Sequence, residues 1–182
     1  MKADIEKVLI PADKVQERVR QMATQILSDL GDDAEGLTIV PILTGAMILT
    51  ADLIRHMPTK LKINLMTVSS YPGQSLRTQG SSLVSKQLGD VDGRHVLLVD
   101  DILDSGGTLK LVVPILKELG ARSVRILVLL RKDREEARQV QADYVGFDIP
   151  DEFVIGYGLD YDNVYRNLPD ICTLKEAVYA AR

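Results

Sequence analysis

Three short apolar runs constrain the fold of this chain more than any other feature: Leu37–Leu43 (LTIVPIL), His95–Val99 (HVLLV) and Ser123–Leu130 (SVRILVLL). Each has the length of a strand, and none shows the polar alternation of a strand with one wet face. The segments between them carry helical spacing. Val15, Val19, Met22, Ile26 and Leu30 recur three and four residues apart before Gly31, and Leu109, Val112, Val113, Leu116 and Leu119 do so before Gly120. A further apolar helix is expected from about Ala46 to His56. Fully apolar strands alternating with helices predict an α/β fold, a central parallel sheet flanked by helices on both faces.

Between these elements, Leu61–Val68 alternates through Leu61, Ile63 and Leu65 and reads as one more strand. Ser69–Ser82 (SSYPGQSLRTQGSS) has neither period and reads as a long polar loop, either a lid over a site or a plain connecting hairpin. A short strand is expected from Leu83. The stretch from Tyr144 to Leu174, with more aromatic residues and short strands, reads as an elaboration on the core.

With 182 residues, no repeat and no Pro/Gly-rich linker, the whole chain 1–182 is expected to form a single domain. Cys172 is the one cysteine, so no intramolecular disulfide can form. The opening MKADIEKVLI lacks a signal peptide's apolar stretch, and no run approaches the roughly 20 apolar residues that span a bilayer. A soluble cytoplasmic protein with no membrane partner is expected. The net charge of −4, with Lys and Arg interspersed among Asp and Glu, argues against a nucleic-acid partner. His56 and His95 have no companion at metal-ligand spacing and read as structural.

The candidate chemistry lies in VLLVDDILDSGGTL. Val96–Val99 forms a strand that ends at the carboxyl edge of the sheet, where open α/β folds bind ligands. Asp104-Ser105-Gly106-Gly107-Thr108 then turns into a helix. Small residues there let backbone N–H groups converge on an anion, the helix N-terminus adds a favourable dipole, and the hydroxyls of Ser105 and Thr108 add donors. Asp100 and Asp101 repel phosphate and so should face another part of the ligand. Two adjacent acceptors suit vicinal ribose hydroxyls, directly or through Mg²⁺. Phosphate at one end and a diol at the other describe a ribose 5-phosphate. No Lys follows the glycines as a P-loop requires, and no Gly-x-Gly-x-x-Gly follows the strand as a dinucleotide fold requires. The acid pair also differs from that of phospho-receiver domains, where it follows the first strand; an ordinary strand–turn–helix with surface acids is the remaining alternative.

The same segment resembles the PRPP-binding signature of type I phosphoribosyltransferases, enzymes that use 5-phosphoribosyl 1-pyrophosphate (PRPP). Leu129–Asp133 (LLRKD) and DYVGFDIPDEFVIGYGLDYDNVYRNLPDI (143–171), with the Leu43-Thr44-Gly45 turn and the Ser70-Tyr71 dipeptide, resemble the hypoxanthine(-guanine) branch over nearly the whole chain. The resemblance implies the type I phosphoribosyltransferase fold, with a small hood built from the N-terminus and about 144–174. It implies purine salvage: transfer of phosphoribosyl from PRPP to hypoxanthine, and also guanine, with Mg²⁺. It further implies a homodimer or homotetramer. A xanthine- or guanine-preferring enzyme and a PRPP-sensing nucleic-acid-binding regulator are the alternatives, although no added DNA-binding element is visible.

Residue by residue, the resemblance assigns Asp104 as general acid/base and Asp100 and Asp101 to the ribose hydroxyls or their metal. It assigns Ser105, Gly106, Gly107 and Thr108 to the 5-phosphate, and Thr44, Gly45 and Arg166 to the pyrophosphate side. Lys132 would contact the purine O6, Phe153 would stack on the base, and Val154 would meet the base edge through its backbone. Asp160 would bind Mg²⁺ beside the base, and Ser70 and Tyr71 would close the lid. Lys132 carries only donors, which suits a carbonyl and disfavours adenine's amino group. Taken singly, Phe153 fits a core aromatic, Lys132 and Arg166 solvated charges, and Asp160 a turn acid; the joint pattern carries the assignment. Thr44 departs from the Lys that many relatives carry at this turn, which leaves backbone N–H groups to bind the diphosphate. The Leu43–Thr44 bond is expected to be cis.

Overall fold

The computed structural model describes residues 1–70, 81–83 and 91–179. Its strands are β1 (Ile5–Ile10), β2 (Leu37–Leu43), β3 (Lys62–Ile63), β4 (Met66–Ser70), β5 (Ser81–Leu83), β6 (His95–Leu103), β7 (Ser123–Lys132), β8 (Tyr144–Ile149), β9 (Val154–Ile155) and β10 (Ile171–Leu174). Its helices are α1 (Ala12–Leu30), α2 (Met47–Arg55), α3 (Gly107–Glu118), α4 (Glu135–Arg138) and α5 (Glu176–Tyr179).

The main sheet runs β5-β4-β2-β6-β7-β8, with β3 also paired to β2. All its pairings are parallel except β4 with β5. The apolar runs are explained by burial on both faces, because successive residues of one strand enter different cores. Leu37, Ile39, Leu97, Val99, Leu127 and Leu129 pack with Val15, Val19, Met22 and Ile26 of α1 and Leu49 and Leu53 of α2. Val40, Ile42, Val96, Leu98, Ile126 and Val128 pack on the opposite face with Leu109, Val112 and Leu116 of α3. A strand serving two cores has no wet side, so its sequence shows no alternation.

Three details depart from the sequence reading. The start of the stretch expected as an elaboration and hood, Tyr144–Ile149, is β8, a strand of the main sheet parallel to β7. The expected strand Leu61–Val68 is two strands, both parallel to β2: β3 beside Thr38 and Ile39, and β4 beside Ile42 and Leu43. Both ends of the expected loop 69–82 are strand, since Ser69 pairs with Ser82 and Ser70 with Ser81. Serine-rich pairing makes backbone hydrogen bonds without leaving an apolar period to read. Tyr71 and the loop's interior, 71–80, lie outside the described residues, as do positions 84–90.

A second, three-stranded antiparallel sheet, β1-β10-β9, is drawn from the chain's two ends. Its small core consists of Ile155, Leu168, Cys172 and Leu174. Asp170 ties it to the main body: its carboxylate accepts the backbone N–H of Ala12, at 2.8 Å, where α1 leaves four donors without intrahelical partners. His95 meets Ser123 Oγ at 2.7 Å and Cys172 is buried, both as packed residues. No helix among the described residues is long and apolar enough to cross a membrane.

Candidate active site

Parallel strands end together at one edge, and the candidate site residues lie at or near it. A cleft of about 280 Å³ is lined by Leu43, Gly45, Val68, the run from Asp100 to Leu109, Asp160 and Arg166. The end of β6 supplies the acid pair, and the turn into α3 supplies the small residues. Gly106 caps α3 with φ of 73°, in the left-handed region open to glycine, so the chain turns tightly into the helix at the cleft. Helix α3 begins at Gly107, which puts Gly107 and Thr108 in its first turn, where the N–H groups have no intrahelical acceptor.

The floor of the cleft is a strained electrostatic arrangement. Asp100 is 7% exposed, and burial, followed by the neighbouring Asp101 charge, pushes its carboxyl well above the usual carboxylate range. Burial also raises Asp101, whose backbone N–H donates to Asp100 Oδ1 at 3.0 Å. The Leu43–Thr44 peptide is cis, and the chain passes so close to Asp101 that a Cβ on Gly45 would lie 1.9 Å from its Oδ2. Thr44 is exposed beside this contact.

Asp160 and Arg166 face the acid pair from a loop held by its own hydrogen bonds. Arg166 Nη2 lies 2.7 Å from Asp160 Oδ1, its Nη1 donates to the Gly158 carbonyl at 2.6 Å, and Asp160 Oδ2 accepts the Asn163 N–H at 2.7 Å. Tyr157, Asp162, Asn163 and Tyr165 all have positive φ, which accounts for the tightness of this loop.

Lys132, Phe153 and Val154 do not line the cleft. Lys132 ends β7 and is 8% exposed, and it reaches the site through Asp104, with Nζ 3.4 Å from Oδ2. Phe153 is 47% exposed and makes a T-shaped contact with Tyr161, centroids 5.7 Å apart, so it does not fill a core. Val154 is buried in β9. Two residues without any sequence signal also enter the site. Arg134 Nη1 lies 2.6 Å from Asp104 Oδ1, and Asp151 lies 3.3 Å from Lys132 Nζ and 2.7 Å from Arg134 Nε. Ser70 ends β4, and Tyr71 is outside the described residues.

Residues 11–162 match the model of the phosphoribosyl transferase domain. The chain is 43% identical over 180 residues to the hypoxanthine-guanine phosphoribosyltransferase of Bacillus subtilis, covering 98% of each. Among solved structures, the hypoxanthine phosphoribosyltransferase of Staphylococcus aureus superposes with a TM-score of 0.89 at 38% identity, covering 98% of this chain and 96% of that one. That of Trypanosoma cruzi superposes with a TM-score of 0.88 at 33% identity, covering 98% and 96%. With the acid pair, the glycine-containing turn and the two-core parallel sheet in place, these matches assign the chain to the hypoxanthine-guanine branch of the type I phosphoribosyltransferase family.

Proposed function

We propose that this protein is a purine-salvage enzyme that transfers the phosphoribosyl group of PRPP to hypoxanthine, and also to guanine, releasing pyrophosphate. One observation carries the reading: a single cleft joins a buried acid pair to a helix-capping turn rich in N–H groups, at the carboxyl edge of a parallel sheet. Asp100 and Asp101 take the ribose hydroxyls, and Ser105, Gly106, Gly107 and Thr108 take the 5-phosphate. Thr44, Gly45 and Arg166 serve the diphosphate. Lys132 donates to the purine O6, Phe153 stacks on the base, and Val154 meets its edge. Asp104 accepts or returns the proton of the imidazole ring as the glycosidic bond forms or breaks. Developing oxocarbenium charge on the ribose must be kept from water. Ser70 and Tyr71 would serve as the closing lid, a role that falls in or beside the undescribed segment.

Mg²⁺ fits the donor set. Asp100, Asp101 and Asp160 offer hard oxygen ligands, and the raised carboxyls of the buried pair show how poorly the site tolerates uncompensated negative charge. These acids would share the ion with the substrate's phosphates and waters, as Mg²⁺ commonly is held. When bound, Mg²⁺ would neutralise charge on the leaving diphosphate. Chain 1–182 would act as one domain, with the β1-β10-β9 sheet as its hood. A cytoplasmic location and a homodimer or homotetramer complete the reading. Exposed Met47, Ile63 and Leu65 support assembly, as does the T. cruzi relative, whose C-terminal region has a role in its oligomeric state.

Side-by-side turnover of hypoxanthine, guanine and xanthine with PRPP tests the proposal. Hypoxanthine and guanine should both be converted with xanthine poor. Strong preference for xanthine, or nucleic-acid binding without turnover, would overturn it.

A further inference from the structure

Strands β6, β7 and β8 end side by side, and the residue just past each end is charged or leads to a charge. Asp104 follows β6, Lys132 closes β7 with Arg134 two residues on, and Asp151 lies two residues past β8. Together they form a closed ring. Arg134 spans Asp104 Oδ1 at 2.6 Å and Asp151 Oδ2 at 2.7 Å, while Lys132 spans Asp104 Oδ2 at 3.4 Å and Asp151 Oδ1 at 3.3 Å. Two cations and two carboxylates balance. The geometry is asymmetric in a telling way: the guanidinium makes the short contacts and the ammonium the long ones. Planar, forked Arg suits fixed carboxylate geometry, whereas Lys is a point charge that changes partners readily.

Lys132 is nearly buried, so in the base-free protein these two carboxylates compensate its charge. A purine carbonyl can take a hydrogen bond from the third donor of this ammonium, but it competes with the two carboxylates for the direction in which the ammonium points. Without Arg134, one ammonium would face two carboxylates, and each would hold Lys132 more tightly against the incoming base. Other nearby charges offer no replacement: Arg138 is committed to Asp133, and Glu136 adds a further negative charge beside Arg134.

We propose that Arg134 is a positioning residue for base binding: it anchors Asp104 and Asp151, which loosens their hold on Lys132 and leaves its ammonium able to turn to the six-oxo oxygen of the purine. This rests on the assignment of Lys132 to the base under the proposed function. Arg134 itself touches no substrate, and its effect passes through the ring.

The test is steady-state kinetics on the purified full chain with hypoxanthine and PRPP varied separately. Arg134→Ala should raise KM for hypoxanthine about tenfold, with KM for PRPP within about twofold and kcat changed far less than the base KM. Arg134→Lys should recover part of the loss, since one cation can still hold one carboxylate. Adding Asp151→Asn to Arg134→Ala should lower the base KM again, because the competing charge is gone. An unchanged base KM in Arg134→Ala overturns the proposal. So does a parallel rise in both KM values with a lowered Tm, or a failure of Asp151→Asn to rescue. Wild-type protein that converts no purine would sink the functional reading and this inference together. Active wild type with an indifferent Arg134→Ala would sink this inference alone.

Discussion

Gly45→Ala perturbs the cleft at its tightest point. The added Cβ would lie 1.9 Å from Asp101 Oδ2 and 2.4 Å from Cγ, where real contacts essentially never fall under 3.0 Å. Gly45 is not among the residues with positive φ, so the penalty comes from contact and not from backbone strain. The carboxylate must therefore retreat by about 1 Å to restore an ordinary contact. Overpacking of this kind costs about 1–3 kcal/mol. In a domain of this size, each kcal/mol lowers Tm by about 2–4 °C. A 1 Å displacement of a substrate-positioning group is worth about 10²-fold in rate, so kcat/KM for PRPP should fall by that order.

Thermal denaturation and PRPP-dependent IMP formation read the two effects separately. Pairing the change with Asp101→Ala isolates the cause. The double variant should match the Tm of Asp101→Ala alone, because the clash partner is missing, while activity stays low. A Gly45→Ala protein with wild-type Tm and wild-type PRPP kinetics would refute the contact argument. Equal and additive destabilisation in the double variant would show that the strain lies elsewhere.

Asp104→Ala should lower kcat by ~10²–10⁴ with KM for PRPP nearly kept, as steady-state kinetics would show; unchanged turnover would remove its acid/base role. Lys132→Ala should weaken kcat/KM for hypoxanthine by the ~1.5–3 kcal/mol of a charged hydrogen bond and relax discrimination against adenine, measured by competition between the bases. The alkaline limb of stability should depend on Tyr157. Burial, then the Asp52 carboxylate that accepts its hydrogen bond at 2.7 Å, pushes its phenol up from 10.0. The unfolded chain then ionises first, so stability is fully present below that value and falls as pH rises past it. Urea midpoints should drop more steeply above ~pH 10 in wild type than in Tyr157→Phe; parallel slopes would contradict the assignment.

The parts of this molecule that depend on local pattern were legible. Three apolar runs announced strands buried on both faces, and the α1 spacing of Val15, Val19, Met22 and Ile26 matches the side that packs on the sheet. The loop from Asp100 to Thr108 was legible as chemistry, because acids followed by small residues at a strand–helix turn have few other uses. Phe153, Lys132 and Asp160 became legible through resemblance alone, since each is ordinary in isolation. Serine-rich β5 and the ends of the 69–82 segment were hidden, because a ladder of backbone hydrogen bonds needs no apolar period. Arg134 and Asp151 were hidden for a different reason. The contacts of the ring join residues 17–30 positions apart along the chain, and only the register of β6, β7 and β8 brings the charges together.

On the proposed function, one site would hold a ribose 5-phosphate through the turn at Ser105–Thr108 and a purine through the residues past β7 and β8. A crystal structure of the protein with IMP bound tests it most directly. The phosphate should lie on the N–H groups and hydroxyls of Ser105–Thr108, the ribose hydroxyls toward Asp100 and Asp101, and the base between Phe153 and the Lys132 ammonium. A nucleotide bound with its phosphate away from that turn, or its base away from Lys132 and Phe153, would contradict the account.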